Sequence, residues 1–200
     1  VSNIKNSEAT GSLEGGVSFN SSNAGCWDFD GDGDYIDLGS VDTSNPLCLY
    51  EFPFTLSFWI AASLSGDSYQ RIIDKSTDTQ GKDGYALSIH DSPSPILHWY
   101  IDITTIFAYT FPSYSADQWI NIAITQGGGG NNLYIDGELV SSNAIPQAAP
   151  FDTVDTRIGS SPSVASREFN GKISNFSVYQ RALNLSEIKQ NYNALKSRFE

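Results

Sequence analysis

Four carboxylates stand at alternate positions in Asp28-Phe29-Asp30-Gly31-Asp32-Gly33-Asp34, the residue type and spacing from which a hard cation such as calcium takes oxygen ligands. An EF-hand loop begun at Asp28 would need a bidentate glutamate at its twelfth position and helices on either side. This chain has Gly39 at that position and strand-like runs as flanks. What remains is a turn that can lend one or two carboxylates and some carbonyls to a cation, with Asp30 and Asp34 as the candidate ligands. The same carboxylates can instead bond their own turn's amides.

A second chemistry lies in the aromatic residues of the middle of the chain. Trp99, Tyr100, Tyr109, Phe111 and Tyr114 fall in consecutive strand-like segments. Such rings can stack on sugars while their polar edges hydrogen-bond hydroxyls, which makes Trp99, Tyr109 and Tyr114 candidate ligand-binding residues. Large aromatics also fill sandwich interiors, where Trp27, Trp59 and Trp119 are expected.

Catalysis has little to work with. His90 and His98 have no nucleophile signature near them. A retaining glycosidase needs two carboxyl groups about 5 Å apart, which on one strand face means alternate positions. The glutamates, at 8, 14, 51, 138, 168, 187 and 200, nowhere form Glu-x-Asp-x-x-Glu. No catalytic residue is assigned, and the chain is not expected to be an enzyme. Cys26 and Cys48 are too few for a zinc site; they can bridge in an oxidising compartment or remain thiols.

The elements that must position these groups follow from composition and period. The chain has 200 residues, 40% hydrophobic and 12% aromatic, enough for one domain with a sizeable core. Acids outnumber bases 23 to 11, a net charge of −12, so the clustered lysine and arginine that nucleic acid or an anionic membrane would require are missing. No run of 18 apolar residues encodes a membrane span, and Val1 to Thr10 lacks the regions of a signal peptide. The chain starts on Val and contains no Met, as expected of a segment processed or cut from something longer.

Short β-branched and aromatic runs, broken by Gly, Asn, Asp, Ser and Pro about every ten residues, predict an all-β chain. Strands are expected at 16–19, 25–29, 35–38, 54–61, 70–75, 85–90, 97–103, 107–111, 119–126, 132–135, 138–142, 156–158 and 172–179. In 54–60, Phe54, Leu56, Phe58 and Ile60 recur at period two and so bury one face. Asp136-Gly137 calls for a type I′ hairpin and Gly127 to Gly130 for a looser one. Leu185, Ile188, Tyr192, Leu195 and Phe199 fall three and four apart, and Asn184 with Glu187 forms a capping box. The reading is a single two-sheet antiparallel β-sandwich over 1–200, with an irregular lead-in over 1–15 and a short C-terminal helix over 184–198.

Four segments then carry a family resemblance. Trp27-Asp-Phe29-Asp30-Gly31-Asp-Gly-Asp34-Tyr35-Ile36 resembles the F-D-G-x-x-D-Y-V opening of laminin G-like jelly rolls, and Phe54-Thr-Leu-Ser-Phe58-Trp59-Ile60 their F-T-I-S-F-W-V strand. Trp119-Ile-Asn-Ile-Ala123-Ile with Leu133-Tyr134-Ile135-Asp136-Gly137 is similar to W-x-H-V-A-V and L-Y-V-D-G. The stretch from Phe169 to Ile188 is similar to the closing F-x-G-x-I-D-E-V-x-I-Y-N-R-A-L-S-x-x-E-I.

The resemblance spans about 16–199 and implies a concanavalin A-like jelly roll. It implies a structural calcium in some members, with Asp30 or Asp34 at the matching positions, although Ser174 and Asn175 stand where the family often has Asp. The ending from Asn191 to Phe199 is similar to versions that close structural proteins of tailed phages, and secreted bacterial proteins carry similar domains. The implied role is a non-catalytic module, glycan-binding or purely structural, placed outside the cell or on a virion surface. Its partners would be a glycan, other virion or surface proteins, or further copies in a homo-oligomer. Polysaccharide hydrolysis, which related sandwiches perform, is the remaining alternative.

Overall fold

The computed structural model of the chain describes residues 11–23, 25–40, 47, 49, 53–64, 69–90, 94–127, 130–144 and 153–200. Its strands in chain order are β1 (Ser12–Glu14), β2 (Ser18–Asn20), β3 (Cys26–Asp30), β4 (Tyr35–Ser40), β5 (Phe54–Ala62), β6 (Gln70–Lys75) and β7 (Tyr85–His90). They continue with β8 (Ile96–Ile101), β9 (Thr104–Thr110), β10 (Ile120–Gly127), β11 (Gly130–Ile135), β12 (Glu138–Asn143), β13 (Asp155–Ile158) and β14 (Asn170–Tyr179). Helix α1 (Leu185–Leu195) and a 3-10 turn (Lys196–Arg198) close the chain.

The strands form two sheets: β1-β4-β13-β6-β7-β8-β9, called the first, and β12-β11-β10-β5-β14-β3-β2, the second. All pairings among them are antiparallel. The expected two-sheet sandwich is therefore the fold. Alternation decides its interior: Phe54, Leu56, Phe58 and Ile60 of β5 meet Leu87 and Ile89 of β7 and Leu97, Trp99 and Ile101 of β8 in one core. Asp136 and Gly137 both adopt positive φ, at 49° and 78°, as a type I′ turn between β11 and β12 requires.

The outer face of the second sheet is taken by the C-terminal helix. The Asn184 side chain accepts from the Glu187 amide while the Glu187 carboxylate accepts from the Asn184 amide. The Thr55 hydroxyl donates to the Arg181 carbonyl and accepts from the Leu183 amide, pinning the turn out of the sheet. Ile188 then packs with Ala123, Tyr134 and Leu183, while Tyr192 and Phe199 stack on the Trp59 indole at 5.6 and 4.2 Å. The first sheet's outer face has no helix among the described residues.

Several expectations need correcting. Residues 12–14 are not irregular: they pair with β4 as an edge strand, Leu13 opposite Ile36. Trp27 and Trp119 are half-buried rather than core, and Leu185 of the apolar stripe is exposed. Arg181 makes a two-pronged pair with Glu187 at 2.8 and 2.9 Å. Cys26 is a buried free thiol, pushed above the usual thiol range by burial first and Asp28 second; Cys48 lies outside the described residues.

Candidate functional site

Strand β6 lies in the middle of the first sheet, between β13 and β7, and every one of its residues is buried. In a regular strand, residues three apart point to opposite faces. Here the β6–β7 register slips between Arg71 and Ile73, and the bulge turns Arg71 and Asp74 to one face while Ile72 and Ile73 both enter the core. The Arg71 Nε to Asp74 Oδ2 separation is 2.8 Å, with both side chains essentially unexposed. It is an ion pair rather than an aligned hydrogen bond, since neither atom has an aligned hydrogen-bond partner among the described residues.

Two loops finish this floor. Arg71 Nη2 donates to the Thr79 carbonyl at 2.7 Å, and the Ser76 hydroxyl donates to Asp74 Oδ1 at 2.6 Å. The Arg71 amide donates to the Arg167 carbonyl, which holds the segment between β13 and β14 alongside β6. Burial pushes the Asp74 carboxyl up to about 6; Arg71, Ser76 and Ser161 oppose it without overcoming it.

The neighbouring strands extend the face outward. On β7 the core takes Tyr85, Leu87 and Ile89, and on β8 it takes Leu97, Trp99 and Ile101. Ser88, His90, His98 and Tyr100 therefore face the other way, with Ser88 opposite both Arg71 and His98 in the register. Their rings form a ladder: Tyr69 on His90 at 4.4 Å, Tyr69 to His98 at 5.8 Å, and His98 on Tyr100 at 5.5 Å and 8° between planes. The Arg167 guanidinium stands 5.2 Å from the Tyr69 ring centre. Burial lowers the His98 pKa, helped by His90 and Arg71, and burial raises that of the Tyr100 hydroxyl.

This face holds an unusual concentration of polar atoms without hydrogen-bond partners among the described residues: Arg71 Nη1, Ser88 Oγ, His90 Nδ1, His98 Nδ1 and Arg167 Nε, all buried. Buried polar groups are ordinarily satisfied, so such a group marks where a water, ion or ligand atom belongs. Chemically the face offers a half-buried ring platform and the Arg167 guanidinium, while Arg71 and Ser88 are sealed beneath. Its carboxylate, Asp74, is fully buried and committed to Arg71 and Ser76, so it is not placed to exchange a proton with a substrate. On the other side of β6, beyond Arg157, opens a cavity of about 320 Å³ lined by Tyr35, Arg157, Ser161 and Glu168.

The residues singled out from sequence sit elsewhere. Trp99 is 0% exposed, edge-on to Phe54 and tilted against Tyr85, so no ligand can reach its ring and the binding assignment is overturned. Tyr109 pairs with Leu97 on the inward side and packs against the core. The Tyr114 hydroxyl accepts from the Ala62 amide at 2.8 Å, and burial pushes its pKa up to about 12. Neither tyrosine is brought to the ring ladder. Tyr100, named with them, is.

The Asp28 to Asp34 turn also bonds inward. Asp34 is 1% exposed; its Oδ1 accepts from the Gly16 amide and its Oδ2 from the Asp30 amide at 2.9 Å. Asp30 Oδ1 accepts from the Asp32 amide. A calcium at these positions would have to displace those donors, and among the described residues no cluster of three His, Cys, Asp or Glu stands ready to hold it. The residues do not fit a calcium ligand set.

Sequence reasoning passed over Tyr69, Arg71, Ser88, His90, His98 and Arg167. The signal for three of them was present: Ser88, His90 and His98 are out of phase with Leu87, Ile89, Leu97 and Trp99. Arg71 gave none, because the bulge that re-aims it is not written in the period.

Residues 30–189 match a laminin G-type family model described as the concanavalin A-like lectin/glucanases superfamily. Among solved structures, the chain is similar to the receptor-binding domain of botulinum neurotoxin C/D mosaic serotype, at 22% identity and TM-score 0.70, covering 94% of this chain and 48% of that one. It is similar to the binding domain of Paraclostridial Mosquitocidal Protein 1, at 18% identity and TM-score 0.71, covering 96% and 49%. A third is the binding domain of botulinum neurotoxin DC in complex with SialylT, at 17% identity and TM-score 0.68, covering 95% and 48%. The chain thus spans about half the length of these structures, and the likeness is one of fold. No curated protein sequence matches it.

Proposed function

The chain belongs to the concanavalin A-like lectin/glucanases superfamily, and from that premise we propose that it is a non-catalytic glycan-binding module that acts outside the cell, on a virion or as part of a secreted protein. The binding surface is the outer face of the first sheet. The observation that carries this reading is the half-buried ring ladder of Tyr69, His90 and His98, with the Arg167 guanidinium beside the Tyr69 ring. Sugars are recognised in this way: an apolar ring face lies on aromatic carbons while hydroxyls satisfy polar atoms beside it. That one of the similar toxin domains was solved with SialylT supports the reading without assigning that ligand to the half of the domain matched here.

Hydrolysis is disfavoured because the carboxylate on this face is sealed and paired, whereas glycoside cleavage needs two carboxyl groups flanking the scissile bond. The test is a glycan array followed by titration of the best binders against the wild-type chain and Tyr69→Ala. Saturable binding lost in Tyr69→Ala, with an unchanged melting temperature, is the expected result. Release of reducing sugar, or binding indifferent to Tyr69→Ala, would overturn it. Identifying the chain's neighbours in its native assembly separates virion display from secretion.

A further inference from the structure

Resting on the glycan reading of the outer face, we propose that the cavity beside Arg157 is a second subsite of the same surface. It holds a neutral sugar residue of a chain whose other end lies on the ring ladder, so the ligand is an oligosaccharide rather than a lone terminal sugar. The cavity, of about 320 Å³, has the size of a small-molecule site, at the lower end of the range of about 300–1,000 Å³. Its rim is open to solvent: Gly33, Ser163 and Ala165, which line it, are exposed.

The segment between Gly159 and Phe169 supplies most of the wall, and it is tied at its neck, where the Phe169 amide donates to the Gly159 carbonyl at 2.8 Å. Within it the Ser161 hydroxyl accepts from the Ser163 and Val164 amides at 3.4 and 3.2 Å. Arg157, on β13, is clamped in turn. Its guanidinium lies 4.2 Å from the Tyr35 ring centre, its Nη1 donates to the Ser161 carbonyl at 3.2 Å, and its Nε faces Asp37 at 4.0 Å. A site held in shape before its ligand arrives loses less binding energy to ordering.

Two groups of opposite charge line this cavity without pairing with each other. The Arg157 side chain is 23% exposed, and its Nη2, unlike the sealed Nε, is an accessible donor with no partner among the described residues. Glu168 is half-buried, and its carboxylate has no hydrogen bond or ion pair among the described residues. A donor and an acceptor set apart in one cavity, with the Ser163 hydroxyl on the rim, match sugar hydroxyls, which donate and accept at once. An anionic sugar would meet Glu168 and a cationic one Arg157, so the fit is to a neutral residue. The cavity and the ladder are also continuous. Arg167 beside the Tyr69 ring and Glu168 in the cavity wall are consecutive residues, their Cα atoms about 3.8 Å apart, and β13 lies next to β6 in the sheet, Arg157 opposite Asp74.

The experiment is calorimetric titration with oligomers of one to four residues of glucose, galactose and N-acetylglucosamine, and with oligogalacturonate as a charged arm. In at least one neutral series the wild-type chain is expected to bind the longer members about tenfold more tightly than the monosaccharide. Ala165→Trp fills the cavity from an exposed position, and Glu168→Gln removes its free carboxylate. Each is expected to shrink that gain to about twofold, with the monosaccharide's affinity and the melting temperature unchanged, whereas Tyr69→Ala weakens every length. Affinity independent of length, or a gain that survives Ala165→Trp, would overturn the second subsite, and binding still lost in Tyr69→Ala would leave the glycan reading standing. A gain confined to oligogalacturonate would overturn the neutral assignment. If no series bound saturably the subsite would be overturned, and the array result with Tyr69→Ala would decide the glycan reading by itself.

Discussion

Asp74→Asn tests the electrostatics of the buried floor. The folded Asp74 carboxyl is raised from 3.8 to about 6, a difference of about two pH units. Burial is the first cause, and the Arg71 charge only partly offsets it. Because the folded chain holds this proton more tightly than the unfolded chain, it binds more protons between the two values, and stability falls as pH rises from about 4 through about 6. At roughly 1.4 kcal/mol per unit the loss amounts to about 3 kcal/mol. Asparagine cannot ionise, so it removes this dependence while other groups titrate alike in both chains.

Urea unfolding of both proteins at half-unit steps from pH 4 to 8 measures it. The wild-type stability minus that of Asp74→Asn should fall by about 3 kcal/mol between pH 4 and 7 and flatten above. A difference that rises with pH would mean that Arg71, 2.8 Å away, outweighs burial and depresses the carboxyl. That sign would refute the reasoning.

Three further outcomes follow from the packing. Trp99→Ala should cost about 3–5 kcal/mol in urea midpoint analysis, since the indole is 0% exposed between Phe54 and Tyr85; a loss of ligand binding with unchanged stability would restore it as a binding residue. Gly84→Ala places a Cβ 1.7 Å from the Lys75 carbonyl oxygen, so β6 and β7 must separate and the chain should lose about 1–3 kcal/mol; an unchanged melting temperature would show that the hairpin yields freely. Asp34→Ala strips the acceptor from the Gly16 and Asp30 amides and should destabilise by about 1–3 kcal/mol for each amide left unpaired, while calcium leaves the wild-type melting temperature unmoved; a saturable calcium-dependent rise would reinstate a cation at the turn.

Much of the architecture was legible. Gln70–Lys75 and Tyr85–His90 are strands over the expected limits, and Asp136-Gly137 turns as its residues require. In each case the signal is local: an alternation, a left-handed pair, a cap. Ser12–Glu14 was missed because three residues carry no period and gain strand geometry only from Tyr35 to Asp37 opposite them. Trp99 was misplaced for a different reason. It was grouped with Tyr100 by type, although adjacent residues of one strand face opposite ways and the neighbours Leu97 and Ile101 already set which way Trp99 points.

The sequence by itself determined the class of the molecule: an acidic all-β sandwich with a capped terminal helix, because periodicity, turn residues and capping act over a few positions and do not depend on the rest of the chain. Only the tertiary structure brought together the residues of the proposed face. Arg71 reaches the outer face through a bulge, His90 and His98 meet across two strands, and Arg167 arrives from a segment about a hundred residues later. Their proximity is a property of sheet order and register, which long-range pairing sets and no local pattern records.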